Sequence, residues 1–185
     1  MTTLQPGAVL GRYVLGEVLG RGGVGVVHAA THATLHTEHA LKVLRVDDPE
    51  GRRRLLQEGR TQARLSHENV VAVRDALTLD DGRPVLVFDR VRGPSLRTLL
   101  RHASLPEPEA LRLWTGIVRG VAHAHAHGVV HRDLKPGNVL LDTTRTPSIP
   151  RVTDFGIARC LAVEGATAPG QVLGSPGYLA PEQLA

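Results

Sequence analysis

Short apolar runs fill the first ninety residues, and a helical spacing takes over after them. Tyr13–Leu19 and Val24–Thr31 are β-rich runs separated by a glycine-rich turn, and Glu38–Val46 is a third. The period changes over Arg52–Leu65, where Leu55, Leu56, Ala63 and Leu65 take the apolar positions of a helix. Val70–Leu79 and Pro84–Phe88 predict two strands around Asp80-Asp81-Gly82-Arg83, a hairpin signal. This part therefore reads as a small antiparallel sheet with one helix. Ser95–His102 then predicts a short helix and Glu107–His127 a long one. The long helix starts at Ser104 and Pro106 and stops at Gly128, with Leu111, Trp114, Ile117, Val118, Val121 and Ala122 as its apolar stripe. Short strands and loops follow to Ala185. The best division of the chain lies at 90–94.

Composition narrows the class. The chain has 185 residues, 42% of them hydrophobic and only 3% aromatic, so its core must rest on Leu, Val and Ala. A single cysteine, Cys160, excludes an internal disulfide framework and fits a reducing, cytoplasmic compartment. The first residues lack the basic and apolar regions of a signal peptide, and no run approaches the roughly 20 apolar residues of a membrane span. The net charge of +4 comes from scattered arginines with few aromatic partners, which disfavours nucleic acid. Of the 22 basic residues only Lys42 and Lys135 are lysine. Lysine is a compact point charge and arginine a planar fork, so lysines kept in an arginine-rich chain mark positions where the chemistry asks for lysine.

Both lysines sit in motifs. Gly20, Gly22 and Gly25 form G-x-G-x-x-G-x-V with Val27, between two strand-like runs; glycines let backbone approach phosphates and take positive φ. Lys42 follows on the third strand, where an ammonium can pair with α/β-phosphates and be held by a helix carboxylate, for which Glu58 is the natural candidate. His131-Arg132-Asp133-Leu134-Lys135-Pro136-Gly137-Asn138 completes H-R-D-L-x-x-x-N. In that pattern Asp133 takes or orients the proton of an attacking hydroxyl, Lys135 neutralises the transferred phosphoryl group and Asn138 binds a metal ion. Asp154-Phe155-Gly156 adds a second metal-holding carboxylate, Asp154, and Ala180-Pro181-Glu182 completes the series. Each element alone is weak; five in this order are not.

Together these elements resemble a protein kinase, most closely the eukaryotic-like Ser/Thr kinases of bacteria, from Tyr13 to Ala185. The resemblance implies an α+β two-lobe fold: an N-terminal extension over 1–11, an N-lobe with an antiparallel sheet and one helix over 12–89, a hinge at 90–94, and an incomplete, mainly helical C-lobe over 95–185. It implies ATP with Mg²⁺, or Mn²⁺ in its place, protein substrates phosphorylated on Ser or Thr, and self-association for autophosphorylation. It makes Phe88 the gatekeeper, gives Asp89 and Val91 backbone contacts to adenine, and sandwiches the ring with Val27, Ala40 and Leu140. Arg132 would meet a phosphate in the activation segment, with Thr167 first by position and Ser175 second. His123, His125 and His127 invite a zinc reading, but His125 leaves the face the other two share and no carboxylate or cysteine accompanies them.

Departures are few. His28, His39 and Arg90 stand where the family usually has Tyr, Val and Tyr, and none removes a catalytic group. Family kinases continue past the A-P-E element with further helices, so a chain cut there is expected to turn over slowly alone. Two other readings remain at this point: a small-molecule phosphotransferase of the same fold, and a truncated or pseudokinase-like module that binds nucleotide or a partner without turnover.

Overall fold

The computed structural model describes residues 4–23, 25–46, 48–155 and 176–178. The chain forms two compact units. One comprises Met1–Arg64 and Ala72–Arg90, the other Leu65–Val71 and Val91–Ala185.

The first unit is a six-stranded antiparallel sheet with one helix. Its strands are β1 (Val9–Leu10), β2 (Tyr13–Gly22), β3 (Gly25–His32), β4 (Glu38–Leu44), β5 (Val73–Thr78) and β6 (Pro84–Asp89), in the order β1-β2-β3-β4-β6-β5. Alternation divides β4 between two faces. Leu41 and Val43 point into a core with Tyr13, Leu15, Val85 and Val87, against which Leu4, Ala8 and Leu10 also pack. The opposite face carries Ala40 and Lys42. Helix α1 (Pro49–Gln62) packs on the sheet with Gly59 against Leu86, where a Cβ would lie 2.6 Å from Leu86 Cδ2.

Helix α1 begins and ends three residues before the predicted Arg52–Leu65. The Asp48 side chain caps it by accepting the Gly51 N–H, Pro49 occupies the first turn, and Glu50 adds negative charge near the positive end of the helix dipole. A second shift concerns Val70 and Val71, predicted as the start of a strand. Val70 instead bridges Val152 and the Val71 N–H donates to the Val152 carbonyl, so both residues belong to the second unit.

The second unit holds α2 (Leu96–His102), α3 (Glu107–Ala126) and a hairpin of β7 (Val139–Asp142) with β8 (Ile149–Val152). Leu65, Leu113, Ile117, Ala124, Val129, Leu141, Val152 and Phe155 are among its core. The predicted stripe of α3 is rotated. Leu111 is 62%, Trp114 59% and Val118 44% exposed, while Leu113, Gly116, Ile117, Gly120 and Ala124 are buried. Two of these are glycines, where α3 closes on its neighbours: a Cβ on Gly116 would sit 2.6 Å from Pro150 and one on Gly120 2.6 Å from the Asn69 carbonyl. A pattern reading that weighs large apolar side chains cannot see a contact made through bare backbone. Among the described residues, no helix is long and apolar enough to cross a membrane.

Candidate active site

The first unit supplies the glycine hairpin and Lys42. Strands β2 and β3 pair as far as Gly22↔Gly25, so the G-x-G-x-x-G segment is a strand–turn–strand. Among the described residues neither Gly20 nor Gly22 takes a positive φ, so the left-handed region is not what these two positions use glycine for. Gly20 and Gly22 have nothing within 4 Å of an added Cβ, which leaves their backbone open to a ligand. Gly25 is needed for packing: a Cβ there would collide with the Val43 carbonyl oxygen of β4.

Lys42 is opposite Val27 on one side and Leu86 on the other, while Ala40 is opposite Phe88. Directly paired residues of antiparallel strands share a face. Val27, Ala40, Lys42 and Phe88 thus lie on the same face of the sheet. Lys42 is 9% exposed and Phe88 is buried. Glu58 is half-buried on α1 and, among the described residues, makes no ion pair. The Asp89 carboxylate is held bidentately by Arg74, with both contacts at 2.6 Å, and this raises the Arg74 pKa. The Asp89 N–H donates to the Ala72 carbonyl and is therefore already engaged.

The second unit supplies the candidate acid–base and metal-binding residues Asp133, Lys135, Asn138 and Asp154. Gly128, with φ of 73°, ends α3, and the chain turns through buried His131 into Arg132, Asp133 and Lys135. His131 packs on Phe155 at 4.7 Å between ring centroids. Its Nε2–H donates to the Thr153 carbonyl at 2.9 Å and its Nδ1 accepts from the Asp133 N–H at 3.4 Å, which defines a neutral imidazole. Burial lowers its pKa, opposed by the Thr153 hydrogen bond and by the charges of Asp154 and Asp133. Arg132 and Asp154 have φ of 66° and 65°, the left-handed region that costs a residue with a Cβ and collects at functional sites.

Asp133, Lys135 and Asn138 form one polar cluster. Lys135 Nζ lies 2.6 Å from Asp133 Oδ2. Asn138 Nδ2 donates to the Asp133 carbonyl at 2.8 Å and to Oδ2 at 3.3 Å. The Asn138 amide is spent as a donor, which leaves its Oδ1 as an acceptor toward a cation. The Thr153 N–H donates to the Asn138 carbonyl at 3.0 Å, next to the Val139↔Val152 pair, so Asn138 and Asp154 stand at the same end of the β7–β8 hairpin. Leu140 bridges Ser95, and Leu141 and Thr143 donate to the Pro94 and Arg92 carbonyls. Val91, in the same unit, is buried. Arg132 is exposed. Its expected partners Thr167 and Ser175, together with Gly156 and Ala180–Glu182, lie outside the described residues.

A sheet bearing a buried lysine beside a glycine hairpin, with a helical unit bearing an Asp–Lys–Asn cluster, defines the kinase class of phosphotransfer folds. The chain belongs to the protein kinase family: the profile described as "Protein kinase domain" matches residues 13–185. It is 42% identical over 186 residues to the DNA damage-responsive serine/threonine-protein kinase RqkA of Deinococcus radiodurans, covering 97% of this chain and 27% of that protein. It is 38% identical to serine/threonine-protein kinase PrkC of Bacillus subtilis, covering 95% of this chain and 27% of that one. The Mycobacterium tuberculosis PknI kinase domain superposes with a TM-score of 0.74 at 31% identity, over 84% of this chain and 64% of that domain. The chain thus spans under a third of the length of these curated relatives.

Proposed function

We propose that this chain carries the catalytic residues of an ATP-dependent protein kinase that phosphorylates Ser or Thr. The observation that supports it best is the Asp133–Lys135–Asn138 cluster. Lys135 and Asn138 both contact Oδ2 of Asp133, which leaves Oδ1 to accept the proton of a substrate hydroxyl. Lys135 then has a second task, to offset negative charge on the phosphoryl group as it moves. In the first unit Lys42 would hold the α/β-phosphates, with Glu58 drawn to it when nucleotide binds, and Gly20 and Gly22 would give the phosphates open backbone. Val27, Ala40 and Leu140 would line the adenine, with Asp89 and Val91 meeting its edge and Phe88 limiting the space beside it.

Asn138 Oδ1 and the Asp154 carboxylate suit a hard cation that keeps water and phosphate oxygens as its other ligands. Among the described residues no three His, Cys, Asp or Glu side chains are grouped to hold a metal by themselves, which fits Mg²⁺ shared with a nucleotide. Mn²⁺ accepts the same oxygen donors. Bound there, the ion would neutralise charge on the ATP phosphates.

Arg132 would bind phosphate on Thr167, with Ser175 second, after one copy phosphorylates another. The relatives' names, as serine/threonine-protein kinases, favour hydroxyl side chains on proteins over small-molecule acceptors. Lys42, Asp133, Asn138 and Asp154 are all present, which disfavours a binding module without turnover. The test is transfer of labelled γ-phosphate from ATP by the complete parent protein and its Lys42→Met and Asp154→Asn variants. Both substitutions should abolish transfer, and undiminished transfer in either refutes the assignment.

A further inference from the structure

Three imidazoles from two segments of the second unit stack on one another. The ring of His67 lies 5.0 Å from that of His123, tilted by 32°. His123 in turn lies 4.4 Å from His127, tilted by 40°. His123, in the last turn of α3, and His127, its C-cap, lie one turn apart, while His67 arrives from the 65–71 segment, which no local pattern in the chain connects to them.

The hydrogen bonds assign the protons. His127 Nδ1 is 2.8 Å from the His123 carbonyl, an acceptor only, so that nitrogen carries its hydrogen. His67 Nδ1 accepts from the Asn69 N–H at 3.0 Å, so that nitrogen is bare. The buried His123 Nε2 has no partner. A proton on His67 Nδ1 would set two donors against each other and release the Asn69 N–H. Asn69 is the anchor of this segment: it is 3% exposed, its Nδ2 donates to the Pro150 carbonyl at 2.8 Å, and its carbonyl accepts from Val152 at 2.8 Å.

We propose that the His67–His123–His127 stack is a proton-operated latch. Neutral, it fastens the 65–71 segment to the last turn of α3. On proton uptake, like charges at ring contact and the lost Asn69 bond loosen it.

The other charged groups on the packed elements do not offset that charge. Glu68 is exposed on the 65–71 segment, Arg119 lies one turn before His123, and Arg151 of β8 is engaged with Asp142 at 3.0 Å. Burial lowers the His123 pKa, and the charges of His127 and His67 lower it further. The rings are tilted against one another by 32° and 40°, and among the described residues no group of three or more His, Cys, Asp or Glu side chains is arranged to hold a metal ion. The last turn of α3 leads through Gly128 to His131 and Asp133, so loosening it would disturb the catalytic loop. That consequence rests on the kinase reading; the latch itself does not.

The test compares thermal melting of the full chain with that of His123→Phe, which keeps an aromatic ring and removes the titration. His28 and His131 are common to both proteins and cancel. Between pH 7.5 and 5.5 the wild-type midpoint should fall by roughly 2–4 °C more than the variant's. Equal falls overturn the latch. If His123→Phe does not fold, His127→Gln at the exposed end replaces it, read by NMR titration of the His123 ring. The His123 midpoint should rise when its neighbour's charge is removed, and an unchanged midpoint overturns the proposal. One Zn²⁺ bound per wild-type chain and lost in His127→Gln also overturns it, since the stack would then be a metal site. None of these readings involves phosphate transfer, so failure of the latch and failure of the kinase assignment are separately visible.

Discussion

Lys135 binds the carboxylate of Asp133, with Nζ 2.6 Å from Oδ2, on the loop that also carries Asn138. In the proposed mechanism this contact would join two tasks, orienting a proton acceptor and placing a positive charge beside it. Lys135→Arg should therefore fail although it keeps the charge, because a planar guanidinium cannot occupy the position of a compact ammonium. In the complete parent protein kcat should fall roughly 10²-fold or more, with the KM for ATP little changed. Steady-state kinetics with a Ser-containing peptide checks this, and wild-type kcat in the variant would remove Lys135 from the catalytic set.

The motif glycines separate by what surrounds them. Gly25→Ala places a methyl group against the Val43 carbonyl and should destabilise the first unit by roughly 1–3 kcal/mol, the cost of overpacking. Gly20→Ala meets nothing within 4 Å and should leave stability within about 0.5 kcal/mol, while raising the KM for ATP because the methyl occupies space left for phosphate. Denaturant melts and ATP kinetics on both variants test the distinction. A well-folded Gly25→Ala chain with a selective ATP defect would contradict it.

The strands β2 to β6 along the chain, the single helix among them and the motif of Asp133 are readable because each depends on neighbours close in sequence, whereas the sheet order that sets β4 beside β6 does not. What escaped reading depends on distant partners. Val70 and Val71 have strand composition, but Val152 decides their placement. Trp114 and Leu111 looked like core, but α3 turns its glycines inward to reach Asn69 and Pro150. His67 could not be placed with His123 and His127 without the fold. The place of Glu58 on the helix makes it a candidate partner for Lys42, and its side chain makes no ion pair among the described residues. That pairing needs a particular position of α1 as well as a particular residue.

Gly120 tests whether α3 needs its bare face. Gly→Ala inside a helix ordinarily stabilises by about 1 kcal/mol. Here the added Cβ would lie 2.6 Å from the Asn69 carbonyl oxygen and 3.1 Å from the Asn69 Cβ, backbone and core atoms that cannot turn aside. The contact should outweigh the propensity, so Gly120→Ala is expected to lower stability by roughly 1–2 kcal/mol. Urea unfolding measures the difference, and a gain in stability would show that α3 can shift off Asn69.

His131 is expected to make the loop of Asp133 sensitive to acid. Its folded-state pKa is lowered, chiefly by burial, while the unfolded chain should titrate near the ordinary value of about 6.5. Between those two values the unfolded state binds more protons, so stability rises with pH. The contribution is complete above about pH 6.5 and is lost as pH falls toward the folded-state pKa. His131→Phe keeps the packing on Phe155 but gives up the hydrogen bond to the Thr153 carbonyl. At pH 7.5 the variant should be less stable by about 1–2 kcal/mol, and on acidification to pH 5.5 it should lose less stability than wild type. Urea unfolding at both pH values decides the matter. Parallel losses in the two proteins would mean that His131 takes up its proton without opening the loop, and the acid sensitivity would then have to come from other histidines such as His28, whose pKa is also lowered by burial.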